Sequence, residues 1–146
     1  MSQRENAIGA LFAVMGQLSL GTSGTTVKRK AALPERIADH AMAILRDGEM
    51  GEPDISLSPL TYHWQHQVAI ELFVADPDAS ARDARMDGLL VELAALIELD
   101  RTLGGFVEYA EIGPPKFDEL APDGTSGIKA CLLPVVLHYS SPGPLH

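Results

Sequence analysis

Tyr62-His63-Trp64-Gln65-His66-Gln67-Val68-Ala69-Ile70-Glu71-Leu72-Phe73 is the most regular stretch of the chain. Tyr62, Trp64, His66, Val68, Ile70 and Leu72 alternate with His63, Gln65, Gln67, Ala69, Glu71 and Phe73. Successive side chains of a strand point to opposite faces, so a period of two over this length predicts a long strand. One of its faces is buried and the other, with His63, Gln65 and Gln67, is more polar. Such a strand needs neighbouring strands and an apolar layer over one side.

Downstream, Asp76-Pro77-Asp78 breaks the strand, and Ser80 with Asp83 has the spacing of a capping box at a helix start. Met86, Leu89, Leu90, Leu93, Leu96 and Ile97 then form a broad helical stripe, expected to end near Leu103 before Gly104-Gly105. Phe106 to Ile112 reads as a strand. Gly113-Pro114-Pro115 and Pro122-Asp123-Gly124 frame a loop, and Ile128 to Tyr139 forms the last strand. Pro134 inside that strand has no N–H to give a ladder. It is expected at a sheet edge, at a bulge, or where the missing donor faces away from the neighbour.

Upstream, Ala41 to Leu45 suggests a short strand closed by an Arg46-Asp47-Gly48 turn, although Ile37 to Ile44 also fits a helical turn or two. Gly51, Pro53, Asp54 and Pro59 mark a loop. Residues 21–36 read as a long connection, flexible at its start, holding Lys28-Arg29-Lys30, the one basic run of the chain. Before it, Ser2 and Glu5 make a capping-box start, and Ile8, Leu11, Phe12, Met15 and Leu18 recur as one helical face with Gly21 as the stop. The expected fold is therefore α+β, in the order α-β-β-α-β-β. It is a single domain over 1–146, with two helices packed on one face of a mainly antiparallel four-stranded sheet.

The 146 residues, 46% apolar and 21% charged, suit one globular core. No apolar run approaches the roughly 18–20 residues that cross a bilayer, and the polar start with Glu5 is unlike a signal peptide. Neither membrane insertion nor secretion is expected. A net charge of −9 argues against a dedicated nucleic-acid binder, which needs basic surface. The lone Cys131 excludes an internal disulfide and sits in an apolar run, as a small buried hydrophobe would.

Chemistry finds no obvious home. His63 and His66 are three apart on a strand, face opposite ways and cannot share an ion. His66 instead belongs with Trp64 and Val68 as a core or interface histidine. The carboxylates fall at helix starts (Glu5, Asp83), in turns (Asp47, Asp76, Asp78, Asp123) or on helix surfaces (Glu92, Glu98), where capping and solvation account for them. Gly21-Thr22-Ser23-Gly24 follows a helix and so lacks the strand-to-helix context of a phosphate cradle. There is no Gly-x-Ser-x-Gly elbow, and a thiol in a buried strand is a poor nucleophile. No metal, cofactor or catalytic residue is expected.

One ordered set of phrases carries a resemblance. An N-terminal helix (Ile8 to Leu18) precedes Val27-Lys28-Arg29 and Leu33-Pro34, and then Leu45-Arg46-Asp47-Gly48, Leu57-Ser58-Pro59 and Tyr62 at the head of a strand. Asp100-Arg101-Thr102-Leu103-Gly104-Gly105 closes the second helix, and a hydrophobic strand finishes in Tyr139. The pattern resembles the tail terminator (tail completion) proteins of long-tailed phages, prophages and gene transfer agents, of the lambda U type. It spans most of the chain, and Asp-Arg-Thr-Leu-Gly-Gly is its most specific piece. Ile37 to Ala41 departs from it in lacking a Gly-rich entry before the first strand.

The resemblance implies a structural, non-enzymatic subunit of a homo-hexameric ring that ends the tail tube. Its partners would be further copies of itself, the tail tube protein and the head–tail connector protein. DNA would pass through the ring without sequence-specific binding, in a particle assembled in the bacterial cytoplasm. A head-to-tail ring needs two different complementary patches on each subunit. The candidates for subunit contacts or lumen are Lys28, Arg29, Lys30, Arg46, His63, Gln65 and Gln67. The competing reading is a small acyl-transferase-like enzyme with its site at a subunit interface, which needs a nucleophile or base in a cleft. A third is a ligand-binding or regulatory α+β module, marked by a dry pocket.

Overall fold

The structure, a computed structural model, describes residues 1–19, 25–30, 41–120 and 127–146. Along the chain come α1 (Gln3–Met15), a 3-10 turn (Gly16–Ser19), β1 (Thr26–Arg29), β2 (Ala41–Glu49), β3 (Asp54–Ser56) and β4 (Thr61–Ala75). They are followed by α2 (Ala79–Leu99), β5 (Tyr109–Ile112), β6 (Lys116–Leu120) and β7 (Ile128–Ser141).

The class is α+β with two α-helices, but the expected four-stranded sheet in the order α-β-β-α-β-β is incorrect. There is one seven-stranded mixed sheet, with path β1-β2-β4-β7-β5, β3 added beside β4 and β6 beside β7. Its backbone is the β4–β7 ribbon, antiparallel in one unbroken register from Tyr62↔Ser141 to Ala75↔Ile128. Among the described residues no other strand is long enough to cover either edge of that ribbon. Each edge is therefore shared, by β2 and β3 along β4 and by β5 and β6 along β7. β1 pairs parallel with β2 and makes the sheet mixed.

The strands absent from the expectation, β1, β3 and β6, have four, three and five residues. Stretches this short show no periodicity, and they lie among Gly, Pro and charged residues that read as loop. Residues 26–29 of the expected basic loop are thus strand. The rest of that loop (21–24 and 31–36), the Gly21 stop, residues 37–40 and the 122–124 turn lie outside the described residues.

Local chemistry explains the other departures. Arg46-Asp47-Gly48 does not end β2. The register slips from Arg46↔Ala69 to Glu49↔Gln67, which inserts one extra residue and makes a β-bulge. Gly48 occupies it at φ +61, where a Cβ would collide with the Gln67 carbonyl. Pro134 lies mid-sheet, and its carbonyl accepts from Gly113 N at 2.8 Å on the side away from β4. A strand residue's N and O point the same way. The missing N–H therefore faces the 113–115 turn between β5 and β6, the third of the expected placements.

α2 starts earlier than Ser80 because Asp78 is the N-cap, its carboxylate accepting from Ala81 N at 3.2 Å. It also ends earlier, at Leu99, because Asp100 organises a turn. Thr102 Oγ1 and Gly104 N both donate to that carboxylate, at 2.7 and 2.8 Å. Leu103, Gly104 and Gly105 take positive φ, and the turn seats Leu103 and Val107 in the core while Phe106 stays exposed. The strand expected from Phe106 accordingly begins at Tyr109.

The main core lies between the helices and one face of the sheet. Ala7, Ile8, Leu11 and Met15 of α1 and Met86, Leu89, Leu93 and Ile97 of α2 meet alternate residues of β2, β4 and β7. The opposite face holds only a small cluster of Met42, Ile44 and Phe73.

Candidate assembly surfaces

Strand pairing decides where each expected residue points, because residues paired across a ladder share a face. Leu45 belongs to the helix-covered face, so its partner Arg29 points there too. Its guanidinium donates to both Glu5 oxygens at 2.6 and 3.1 Å and to Asp47 at 3.3 Å. Lys30 follows at φ +56, with Nζ 2.8 Å from Asp47. These bonds lock the start of α1 to the ends of β1 and β2.

The electrostatics agree. The Arg29 hydrogen bond holds the Glu5 carboxyl below its ordinary value, and Glu5 in return raises the guanidinium. For Asp47, burial pushes upward, but the bonds from Lys30 and Arg29 outweigh it and the net shift is downward. Such half-exposed pairs contribute up to about 1 kcal/mol each. Arg29 and Lys30 are structural ties.

Lys28 pairs with Ile44, which lies on the face away from the helices. Arg46 shares that face, its Nε 3.3 Å from Glu71 Oε1. So do His63, Gln65 and Gln67, all exposed. The structure thus gathers Lys28, Arg46, His63, Gln65 and Gln67 on one sheet face and turns Arg29 and Lys30 to the other side.

That face has further polar furniture that the sequence did not announce. His63 Nε2 is 2.9 Å from Ser56 Oγ on β3. The His138 ring, opposite Gln65, stacks on Tyr109 with centroids 4.1 Å apart and bonds Glu111 at 3.0 Å. Only the cross-strand partners, Gln65↔His138 and Tyr109↔His138, bring these groups together, and pairing is not readable from one strand alone.

The buried polar groups His66, Trp64 and Ser141 are committed to structure. His66 Nε2 lies 2.6 Å from the Asp47 carbonyl, which can only accept. The proton is therefore on Nε2, and Nδ1 accepts from the Tyr139 hydroxyl at 2.8 Å. Burial lowers the His66 pKa and pushes Tyr139 up to about 12. Trp64 Nε1 donates to Ser141 Oγ at 2.9 Å, which donates to Gly143 O at 2.7 Å. The cavity beside them, lined by Arg4, Met50, Tyr139 and His146, has about 50 Å³, room for a water or two.

Cys131 is buried in the main core, and burial raises its thiol, which keeps it protonated and unreactive. Among the described residues no three His, Cys, Asp or Glu side chains group to hold a metal, and no helix is long and apolar enough to cross a membrane.

Two apolar features also escaped the sequence reading. The β3–β4 hairpin exposes Ile55, Leu57 and Leu60. Near the other end of β4, a shallow groove of about 280 Å³ opens on the sheet face over Phe73, Ala130 and Leu132. Apolar residues inside a Pro-marked loop, Leu57-Ser58-Pro59-Leu60, were the available signal for the first. No protein-family model matches the sequence, and no curated protein matches it.

Proposed function

We propose that this chain is a structural assembly subunit of the tail-terminator type. It forms a homo-hexameric ring that ends the tail tube of a phage or gene transfer agent and joins it to the head–tail connector. The observation that carries the reading is the convergence of Lys28, Arg46, His63, Gln65 and Gln67 on a sheet face whose opposite side is closed by both helices. A face of amides whose cations, Lys28 and Arg46, are balanced by Glu71 and Glu111, suits a lumen on a chain of net charge −9. It attracts phosphate weakly, reads no bases and lets DNA slide.

In this reading the tail tube protein, the connector and neighbouring copies are the partners, and the particle, assembled in the bacterial cytoplasm, is the destination.

The test is genetic and visual. Removing the gene from the element that carries it is expected to give overlong or headless tails in electron micrographs, restored by the wild-type gene. Tails of normal length joined to heads would overturn the proposal. The purified ring is expected near 94 kDa, six times the 15.6 kDa chain.

A further inference from the structure

The edges of the sheet are treated unequally. An edge strand presents a row of N–H and C=O groups that can pair with another strand. On β5 that row is capped: Ala110 N donates to Arg101 O at 2.7 Å, and Arg101 Nη1 donates back to Ala110 O at 3.4 Å. Among the described residues no such cap covers the outer edge of β1 or of β6. Internal hydrogen bonds fix which groups point outward there. Lys30 N donates to Leu45 O across the β1–β2 ladder, so Lys28 turns its backbone toward β2 while Val27 and Arg29 turn theirs away. Gly113 N and Glu108 N donate to Pro134 O and His138 O, so the even-numbered residues of β7 turn theirs toward β5 and β6. Lys116 and Asp118, which pair with Leu132 and Ala130, therefore face β7, and Phe117 and Glu119 turn their backbone outward.

Direction and register favour a second copy as the partner of both edges. β1 runs parallel to β2, and β2, β4, β7 and β6 then alternate, so β1 and β6 run opposite ways. A rotation that keeps the strand direction, as in a ring, brings β1 of one copy antiparallel to β6 of the next, with the open faces on one side. Outward groups can bond only outward groups, so Val27 and Arg29 must sit opposite odd-numbered residues of β6. With Val27 opposite Phe117, Lys28 would meet Lys116 and Arg29 would meet Pro115, which has no N–H. Sliding the strands the other way leaves a single bonded pair, Arg29 with Glu119. The register between them bonds Val27 with Glu119 and Arg29 with Phe117, and it sets Lys28 opposite Asp118.

Charge agrees with that register. Lys28 and Asp118 are both exposed, and both lie on the open face, since their ladder partners Ile44 and Ala130 belong to the small cluster there. As a directly opposed pair without backbone bonds between them, they would stand at about 4.5 Å between Cα atoms, the closer of the two antiparallel spacings. On the other face Phe117, 54% exposed, would lie diagonal to the partly buried Val27 and gain an apolar neighbour. Lys116 falls beyond the end of the ladder, because Lys30 opposite it leaves the strand at φ +56 and holds Asp47.

We infer that β1 of one copy adds to the outer edge of β6 of the next, antiparallel, with Lys28 opposite Asp118. The inference deepens the ring reading and rests on it for the number of copies. The sheet then runs unbroken around the ring, with the helices outside and the open face inside. Each copy contributes the five strands β1, β2, β4, β7 and β6 to that circuit. At about 4.8 Å per strand, six copies make a circumference of about 144 Å and a bore of about 46 Å between backbones, which leaves room for a DNA duplex.

The test traps the pair. Lys28→Cys with Asp118→Cys in one chain puts two thiols at disulfide distance only across the contact between copies, because four strand spacings, about 19 Å, separate them within a chain. Cys131 is buried and stays silent. Mild oxidation and denaturing electrophoresis without reductant are expected to show a ladder of two to six chains, and either cysteine alone no ladder. Both positions are exposed, so charge reversal spares the core. Lys28→Glu or Asp118→Lys alone is expected to weaken self-association several-fold in analytical ultracentrifugation, and the two together to restore it. Single chains after oxidation of a double-cysteine protein that still sediments as a multimer overturn the inference and leave the ring reading standing. A double charge reversal no stronger than the single ones does the same. A wild-type chain that never self-associates overturns both.

Discussion

The two faces of β4 are built from interleaved residues of one strand, yet they do opposite work. On the helix-covered face, Val68, Ile70, Leu72 and Val74 are sealed in the core, and its polar members, Trp64 and His66, have each found a partner. On the other face, His63, Gln65 and Gln67 point outward, and the apolar residues next to them, Phe73 and its neighbours, form only a small cluster. One face holds the fold together. The other is available to touch something else, and a shift of one residue along the chain separates the two roles.

Mutations on opposite faces of β4 should separate the two roles most sharply. Leu72→Ala removes a fully buried side chain and is expected to cost about 2–5 kcal/mol in urea unfolding. Gln67→Ala, on the exposed side, should stay within about 0.5 kcal/mol of wild type. Comparable losses at both positions would dissolve the distinction.

Acid probes the closed face through the buried imidazole of His66. His66 has a folded-state pKa below its ordinary value of 6.5, so between those two values the unfolded chain binds more protons than the folded one. Stability is therefore expected to fall as pH drops below about 6.5. A second decline should begin below about 4.5, where Glu5 and then Asp47, both depressed by their cationic partners, must be protonated. Replacing His66 by Gln should flatten the first decline and leave the second. Melting temperatures from pH 8 to pH 3 read both.

The smallest effect on stability is expected at Lys28. Lys28→Glu on the open face should leave the unfolding midpoint unchanged. It should nonetheless reduce the yield of DNA-filled, tailed particles, because the charge presented to passing phosphate is reversed. A normal particle yield would remove Lys28 from the lumen.

The sequence made the long elements legible and hid the short ones, for physical reasons. β4 and β7 run 15 and 14 residues, and both helices carry repeated apolar stripes, so periodicity has room to show. β3 has three residues and exists because the start of β4 offers it a ladder. Gly48 looked like a turn because a bulge glycine and a turn glycine need the same positive φ. The candidate site was half legible. Alternation placed His63, Gln65 and Gln67 on one face, whereas Arg29 and Lys30 were read as part of a long connection because nothing local announces Glu5 or Asp47 as partners. The apolar hairpin was missed because composition marks a turn without saying that its leucines stay uncovered.

The central claim, that the open face of the sheet becomes enclosed as a lumen on assembly, can be tested by thiol protection. Cys131 is buried and gives a silent background, so Gln65→Cys places a single reactive thiol on the open face and Val91→Cys one on the exposed side of α2. With a bulky polymer-linked maleimide, both should label fully in the free chain. In assembled particles Gln65→Cys should be protected while Val91→Cys stays reactive. Equal labelling of the Gln65→Cys thiol before and after assembly would contradict the account.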